Sequence, residues 1–209
     1  MTTPRSSKFF LTILCSLGLG GAAVAQKKPV DFSGDLKFDD LQSPDVAIGK
    51  NKKFRPKDWL EIEVTAKLDH VPLANKAEEF HDSVSVNWNI ILKGQDRKTY
   101  WVKKTVEHVN VPADEDIVFS VYLSPNTLKR ITGKDGGGKS DLEAVGGDIN
   151  VNGVRAGFFK AGKFKAGWWT AEAPESVTVT QKYPLMSKDQ TPFKLFWYDR
   201  YAEIKPKDQ

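Results

Sequence analysis

Cysteine is almost absent from this 209-residue chain, whose single thiol belongs to Cys15. One cysteine cannot form an intramolecular disulfide, so the fold has to be stabilised by packing, which excludes the small cross-linked scaffolds of many secreted domains. Histidine is also scarce, because the chain has only His70, His81 and His108. No two of them have a metal-binding spacing such as H-x-H or H-E-x-x-H. The sequence therefore predicts no metal site.

Long apolar runs are missing as well, apart from one near the N-terminus. Residues 9–19 are apolar over about eleven positions, which is short of the roughly 20 that a membrane-spanning helix needs. Arg5 and Lys8 precede this run, and the A-x-A sequence ending at Ala25 follows it. These are the three parts of a secretory signal peptide. We therefore expect residues 1–25 to be removed and the protein to be exported to the periplasm, the cell surface or the outer envelope, without a membrane span after cleavage.

A strong excess of positive charge is also missing. The formal net charge is +4, and the removal of Arg5 and Lys8 with the signal peptide would lower it further. The remaining lysines are scattered along the chain and are expected to form a solvated surface. The composition therefore does not indicate a nucleic-acid partner.

The letters GKDGGGKS, from Gly133 to Ser140, match the Walker A pattern G-x-x-x-x-G-K-[ST]. A phosphate-binding loop needs a buried strand before it and a long helix after it, so that amides and the helix dipole surround the phosphates. Here Ser124 and Pro125 instead indicate the N-cap and first position of a short helix before the loop. The segment after the loop meets two glycines, at 146 and 147, after about five residues. We therefore expect a surface loop that binds no nucleotide.

Strict alternation of apolar and polar residues predicts strands in most of the chain after residue 58. In LEIEVTAKL (residues 60–68) the apolar side chains point inward, while Glu61 and Glu63 are expected to face water. Asn152 and Gly153 between two strand-like halves indicate a β-hairpin with a type I′ turn. Further strands are predicted within residues 83–94, 98–112, 116–123, 160–170, 176–183 and 192–204.

These elements predict an all-β fold, an antiparallel immunoglobulin-like β-sandwich with one short helix between strands and a glycine-rich loop. A closed barrel is the second choice. We expect four parts, which are a signal peptide (1–25), a polar N-terminal segment (26–58), the sandwich domain (59–205) and a polar tail (206–209). The N-terminal segment is interpreted either as a tail or as an early edge strand.

Motifs for catalysis are missing from the sequence. It has no G-x-S-x-G motif, and no spacing singles out a pair among its 27 acidic residues for glycoside hydrolysis. The acidic turn from Asp114 to Asp116 lacks the ligand spacing of a calcium loop. His108 lies beside Glu107 on a predicted strand and is expected to be a surface residue. We therefore predict a protein that is not an enzyme, with no catalytic residues and no cofactor.

Aromatic residues are the most informative group, with six tryptophans in the chain. Trp88 lies in the middle of a predicted inward-facing strand and is expected to be a core residue. Trp168 and Trp169 are neighbours, and on a strand they would point to opposite faces, so that one would meet solvent or a partner. By the same argument, Phe196 and Tyr198 would point to the opposite face from Leu195 and Trp197. The candidate contacts for a protein partner or a glycan are Trp168, Trp169, Phe196 and Tyr198.

Three segments carry a resemblance to a known family: DWLEIEVTAKL, the short helix after DIVFSVYLSP, and the hairpin GGDINVNGVRAGFF. On these, residues 59–204 resemble secreted immunoglobulin-like β-sandwich proteins that are encoded beside type IV pilus-like machinery in mucin-associated gut bacteria. The resemblance implies a non-catalytic envelope protein without a cofactor, in a pilus-related or surface assembly. A pilin has a glycine before its processing site and a long apolar helix after it, whereas Gln26, Lys27 and Pro29 follow the site here, so an accessory role is expected.

The sequence leaves two hypotheses for function. In the first, the protein binds envelope or pilus-system proteins by adding a partner strand to an exposed sheet edge. The alternative is a carbohydrate-binding module that uses exposed tryptophans.

Overall fold

The structure of the protein is a computed structural model that describes residues 30–45, 55–68, 71–72, 79–95, 97–136 and 138–207. The predicted signal peptide and His70 lie outside the described residues. Within this part of the chain no helix is long and apolar enough to cross a membrane.

Twelve strands and one α-helix make up most of the regular structure in the described residues. The strands are β1 (Asp31–Phe32), β2 (Lys37–Gln42), β3 (Asp58–Lys67), β4 (Phe80–His81), β5 (Val84–Lys93), β6 (Thr99–His108), β7 (Val111–Pro112), β8 (Ile117–Leu123), β9 (Leu142–Val151), β10 (Val154–Gly162), β11 (Val177–Val179) and β12 (Met186–Ser187). The helix is α1 (Pro125–Thr132), between β8 and β9.

The strands form two five-stranded sheets and a small ribbon of β4 and β7. In the first sheet β3 and β8 are central, with β1 and β2 on the far side of β3 and β12 on the far side of β8. The second sheet has the order β10-β9-β5-β6-β11. All pairs within these sheets are antiparallel except β11, which pairs with β6 in parallel. The prediction of an all-β sandwich with one short helix is therefore confirmed.

Inward-facing alternate residues of the two sheets form the core, as the period-two pattern predicts. Leu60 and Ile62 from β3 are fully buried and belong to the same cluster as Val86 and Ile90 from β5. Trp88 is 1% exposed, and its ring lies 4.8 Å from that of Phe159. Its predicted role as a core residue is confirmed.

The helix and the hairpin form where local sequence signals place them. The Ser124 hydroxyl accepts a hydrogen bond from the Thr127 amide, and Pro125 is the first helical residue. Gly133 ends the helix in the left-handed region, with φ of 76°. In the hairpin between β9 and β10, Asn152 and Gly153 both have positive φ, at 51° and 78°. A type I′ turn requires this combination, so the predicted hairpin is confirmed.

Part of the polar N-terminal segment belongs to the sandwich. β1 and β2 pair with successive parts of the same edge of β3, from Asp31 opposite Lys67 to Gln42 opposite Asp58. Of the two interpretations of this segment, the edge strand is the one that the structure shows for residues 37–42. The sheet therefore begins before residue 59.

Two segments predicted as strands have another structure. Trp168–Thr170 form a 3₁₀ turn, and residues 192–204 form turns with a second 3₁₀ element at Tyr198–Arg200. In the latter segment only isolated bridges remain, from Tyr201 to Val118 and from Ile204 to His108. The aromatic residues that favoured a strand there instead fix the segment against the first sheet.

The two described histidines are buried, which corrects the expectation that His108 is a surface residue. His81 is 1% exposed and His108 is 2% exposed. The His108 ring packs edge-on against Phe119, with 4.9 Å between ring centroids. His108 therefore belongs to the core and does not form a surface pair with Glu107.

Candidate functional site

The outer face of β3 carries two carboxylates that are not solvated. Glu61 and Glu63 alternate with the core residues of the strand, but they are only 6% and 3% exposed. Residues 188–204 lie over this face of the sheet and shield it from water. The sequence-based expectation that both glutamates face water is therefore wrong, because local periodicity does not reveal a covering segment that lies far along the chain.

Aromatic hydroxyls and a guanidinium satisfy these carboxylates. Tyr122 Oη donates to Glu61 Oε1 at 2.6 Å. Arg200 donates to both oxygens of Glu63, with distances of 3.1 and 2.7 Å. Tyr201 Oη donates to Glu63 Oε1 and also lies 3.2 Å from Glu61 Oε1. The bidentate arginine contact fixes orientation as well as charge.

Burial and mutual charge shift the pKa values in this cluster. Desolvation raises the pKa of Glu61, and the neighbouring Glu63 carboxylate adds to this effect, while the Tyr122 hydrogen bond opposes it. Desolvation and the hydrogen bond to Glu63 raise the pKa of Tyr201 well above its usual range. Desolvation lowers the pKa of Lys188, whose ammonium lies 4.3 Å from the centre of the Tyr201 ring. Because Arg200 and Tyr201 of the covering segment form hydrogen bonds with the carboxylates of β3, the cluster fixes that segment to the strand.

Phe193 is the apolar anchor of the same segment. Its side chain is 1% exposed, stacks on Tyr122 with ring centroids 5.6 Å apart, and meets Trp59 edge-on at 5.8 Å. Before it, Ser187 and Gln190 form a capping box around the 3₁₀ turn Lys188–Gln190. The chain therefore reaches Phe193 through a locally fixed turn, and it is fixed again at Arg200 and Tyr201.

Between these two anchors, four consecutive large apolar residues are exposed. Leu195 is 80% exposed, Phe196 39%, Trp197 55% and Tyr198 59%. We call residues 195–198 the aromatic tip. The Phe196 amide donates to the Phe193 carbonyl at 3.0 Å, the Arg200 amide donates to the Trp197 carbonyl at 3.1 Å, and Lys188 Nζ donates to the Phe196 carbonyl. Trp197 has a φ of 52°, in the left-handed region that non-glycine residues seldom occupy.

The predicted contact residues separate into two groups. Phe196 and Tyr198 lie together in the aromatic tip, as exposed as the prediction requires. Trp168 and Trp169 instead pack over the outer face of the second sheet, with Ile91 and Trp101. There Trp169 is 8% exposed, and its Nε1 donates to Asp148 at 2.7 Å. The predicted strand is instead a 3₁₀ turn, in which Trp169 is buried and Trp168 is half-buried.

A glycine makes room for the paired indoles. A Cβ atom at Gly146 would lie 2.4 Å from the Trp169 ring, a distance at which atoms cannot coexist. The Trp168 and Trp169 rings are 5.7 Å apart and nearly perpendicular, and Trp168 also packs on Trp101 at 5.2 Å. The signal available in the sequence was the glycine pair at 146 and 147, which the sequence analysis took only as the end of a segment.

The glycine-rich loop has the flanking elements in the wrong order for phosphate binding. Helix α1 precedes it and strand β9 follows it. The loop amides of Gly138 and Lys139 donate to one carboxylate oxygen of Asp40 on β2, at 2.8 and 3.3 Å. Lys134 binds Asp141 at 2.6 Å within the loop. These contacts tie the loop to the edge of the first sheet.

The edge strand β10 borders the second candidate surface. In the described residues β10 pairs only with β9. Along its other side lies an open groove of about 750 Å³, between β10 and residues 30–38. The apolar residues that line this groove are Val30, Phe32, Leu36, Phe38, Val64, Ala156, Phe158, Phe159 and Ala161. We call it the seam groove, because it lies where the edges of the two sheets meet.

Comparison with known proteins agrees with this architecture. A protein-family model matches residues 22–208, almost the whole chain. A crystal structure of a protein from Akkermansia muciniphila, a mucin-associated gut bacterium, is 34% identical with a TM-score of 0.75. That match covers 85% of this chain and 93% of the other. No curated protein matches the chain. Identity and coverage at this level show that the chain belongs to the same family as the Akkermansia muciniphila protein.

Proposed function

We propose that the chain is an exported, non-catalytic β-sandwich protein that takes part in an envelope or pilus-associated protein assembly. The family membership supports the proposal, because the resemblance in the sequence was to secreted sandwich proteins encoded beside type IV pilus-like machinery. The observation that carries it is the side of β10 along the seam groove, where no described residue pairs with the strand. The expected partners are envelope or pilus-system proteins, and the place of action is the periplasm or the cell surface.

An edge strand beside an apolar groove can receive a strand from another protein. The N–H and C=O groups on the unpaired side of β10 provide the ladder of hydrogen bonds, and the groove accepts alternate side chains of the added strand. Val154–Gly162 is nine residues long, which is enough for such a ladder. The floor is apolar because Phe32 and Phe159 meet edge-on, with ring centroids 6.4 Å apart.

Charges along β10 define the partner strand further. Arg155 and Lys160 are exposed on this edge, and positive residues on an edge disfavour pairing between two copies of the same strand. Arg155 is neutralised by Asp148 at 2.6 Å, whereas among the described residues Lys160 Nζ contacts only the Phe164 carbonyl, at 3.4 Å. We therefore expect a partner strand in which apolar residues alternate with polar ones, many of them acidic.

Carbohydrate binding is not the function that we propose. The tryptophans on which that alternative depended, Trp168 and Trp169, pack on the second sheet. In the aromatic tip the Phe196 and Trp197 rings are inclined by 51°, with centroids 5.8 Å apart. A sugar ring stacks on a flat face, so inclined neighbouring rings provide a poor platform.

In-cell photo-crosslinking tests the proposal, with a crosslinkable residue at Ala161 of β10. Adducts with envelope or pilus-system proteins are expected. Neighbouring positions of an antiparallel strand direct their N–H groups to opposite sides, so Phe158→Pro and Lys160→Pro are compared with Gly157→Pro. If a proline variant keeps the wild-type thermal unfolding temperature, the N–H that it removes does not pair with β9 and therefore faces the groove. That variant is then expected to lose the adducts.

Lys160→Ala is the matched control, because it keeps the backbone N–H and removes only the charge. It is expected to retain most of the adducts. A folded proline variant that crosslinks as well as wild type would contradict strand addition, and adducts restricted to cytoplasmic proteins would contradict the proposed assembly.

A further inference from the structure

The aromatic tip has the composition of a segment that lies at a membrane surface. Leucine and phenylalanine enter the acyl region readily, while tryptophan and tyrosine favour the headgroup level. All four residues of the tip are exposed and consecutive, and Leu195, the most apolar in character, is also the most exposed. We propose that the aromatic tip inserts into the interfacial layer of a bilayer that carries anionic phosphate headgroups.

A groove rich in lysine lies directly beside the tip. It has a volume of about 370 Å³, and Tyr198 of the tip is part of its wall. Lys194, Lys205 and Lys207 line it with exposed side chains, and none of the three has an ion-pair partner in the described part of the chain. We call this surface the lysine groove.

The carboxylates of the lysine groove already have partners within the protein. Asp189 accepts a hydrogen bond from Ser187 Oγ at 2.5 Å, and Glu203 accepts one from Asn110 Nδ2 at 3.1 Å. These partners are neutral, so both carboxylates keep their charge, but four lysines line the groove against these two acids, and its net charge is therefore positive next to the tip. Lipid phosphates at the depth of the headgroups would complement it, and each lysine near an anionic surface contributes about 1 kcal/mol to binding.

The base of the tip is fixed before any ligand arrives. Phe193 on one side and Arg200 on the other are tied to the first sheet, and Lys188 binds the carbonyl of Phe196. Insertion would therefore require little ordering of the backbone, and less of the gain from burying apolar surface would be lost to conformational entropy. A tip that is held in place while exposing four apolar side chains has the properties of a preformed insertion loop.

This proposal goes beyond the assembly function and uses a different surface from β10. Its test does not depend on the seam groove, so either proposal can fail alone. A protein pocket is the other chemistry that could receive the tip, and the experiment below distinguishes the two.

Trp197 provides a selective signal for insertion. It is the only exposed tryptophan among the six, since the other five are buried or half-buried. The protein recovered from cells is mixed with vesicles of phosphatidylglycerol or phosphatidylcholine, in which some acyl chains are brominated. Bromine quenches tryptophan only at close range. Quenching by phosphatidylglycerol vesicles is expected, with little from phosphatidylcholine, and Trp197→Phe should remove the quenching while vesicles still co-sediment with the protein.

Substitutions at exposed positions separate the apolar and the charged contributions. Leu195→Ser with Phe196→Ser should weaken co-sedimentation at least about tenfold, from the apolar area lost. Lys194→Gln and Lys205→Gln should each weaken it about fivefold and make it less sensitive to salt. All variants keep the wild-type N-terminus, so that residues 9–19 contribute equally.

Two controls come from elsewhere on the surface. Val154→Ser removes an exposed apolar side chain from the hairpin, and Lys37→Gln removes an exposed charge from β2; neither should change binding. Co-sedimentation that is unaffected by the tip variants would overturn the proposal. The proposal would also fail if phosphatidylcholine vesicles bound equally well. A third contrary result would be an unquenched Trp197 together with capture of a protein by a crosslinker at that position.

Discussion

Replacing His108 by glutamine should remove an acid sensitivity that the buried imidazole gives to the fold. Burial lowers the pKa of His108 to about 4, against the opposing effects of the carbonyls of Ala202 and Glu203 and the charge of Asp189. Nδ1 donates to the Ala202 carbonyl at 3.3 Å, while Nε2 is buried without a hydrogen-bond partner in the described residues. Protonation would place a charged N–H at Nε2 with no acceptor.

The size of the effect follows from the difference between the folded and unfolded states. The unfolded imidazole titrates near pH 6.5, so between that pH and about 4 the unfolded chain binds more protons than the folded one. Stability is therefore full above about pH 6.5 and falls as the pH is lowered toward 4. At pH 4.5 this one group should lower the free energy of unfolding by about 2–3 kcal/mol.

Urea unfolding of wild type and His108→Gln at about pH 7.5 and pH 4.5 measures this difference. Other groups also titrate in this interval, but their contribution is common to the two proteins and cancels in the comparison. Glutamine can still donate to the Ala202 carbonyl, so the substitution removes the titration with little loss of contact. The variant should become more stable relative to wild type by about 2–3 kcal/mol at the lower pH. A stability difference that does not change with pH would refute the reasoning.

Two further predictions concern packing on the outer faces of the sheets. Phe193→Ala should lower the free energy of unfolding by about 3–5 kcal/mol in urea denaturation, because it leaves a cavity against Tyr122 and Trp59. Leu195→Ala, at an 80% exposed position two residues away, should stay within about 0.5 kcal/mol of wild type, and similar losses for both would contradict the anchor role. Gly146→Ala should displace the Trp169 ring, reduce stability by about 1–3 kcal/mol and alter the near-ultraviolet circular dichroism; an unchanged spectrum would show that the ring is not held there.

The sandwich was predictable because its core strands carry their own evidence in the sequence. β3, β5 and β8 have an apolar residue at every second position over seven to ten residues, and each lies where its pattern places it. The helix and the hairpin have local chemical signals, a serine before a proline and an asparagine before a glycine. These signals need no information from the rest of the chain.

The covering segment was not predictable by the same reasoning. Aromatic residues favour strands, so residues 192–204 were interpreted as a strand, but their partners are Glu61, Glu63 and Tyr122 in strands that are distant in the sequence. No spacing relates Arg200 to Glu63, which are 137 positions apart. For the same reason the burial of both glutamates was missed. The exposed tip was found only in part, since Phe196 and Tyr198 were named but the exposure of all four tip residues was not expected.

Several features around the aromatic tip are unfavourable for folding alone. Two carboxylates and the Lys188 ammonium are removed from water beneath it, and replacing such buried charges by apolar residues often increases stability. Trp197 occupies the left-handed region, which a glycine or asparagine would adopt more easily. Four large apolar side chains remain exposed beside them. Strain and exposure concentrated in one loop on a fixed base are typical of binding surfaces, so the conformation of this loop suits contact with a ligand better than it suits the stability of the sandwich.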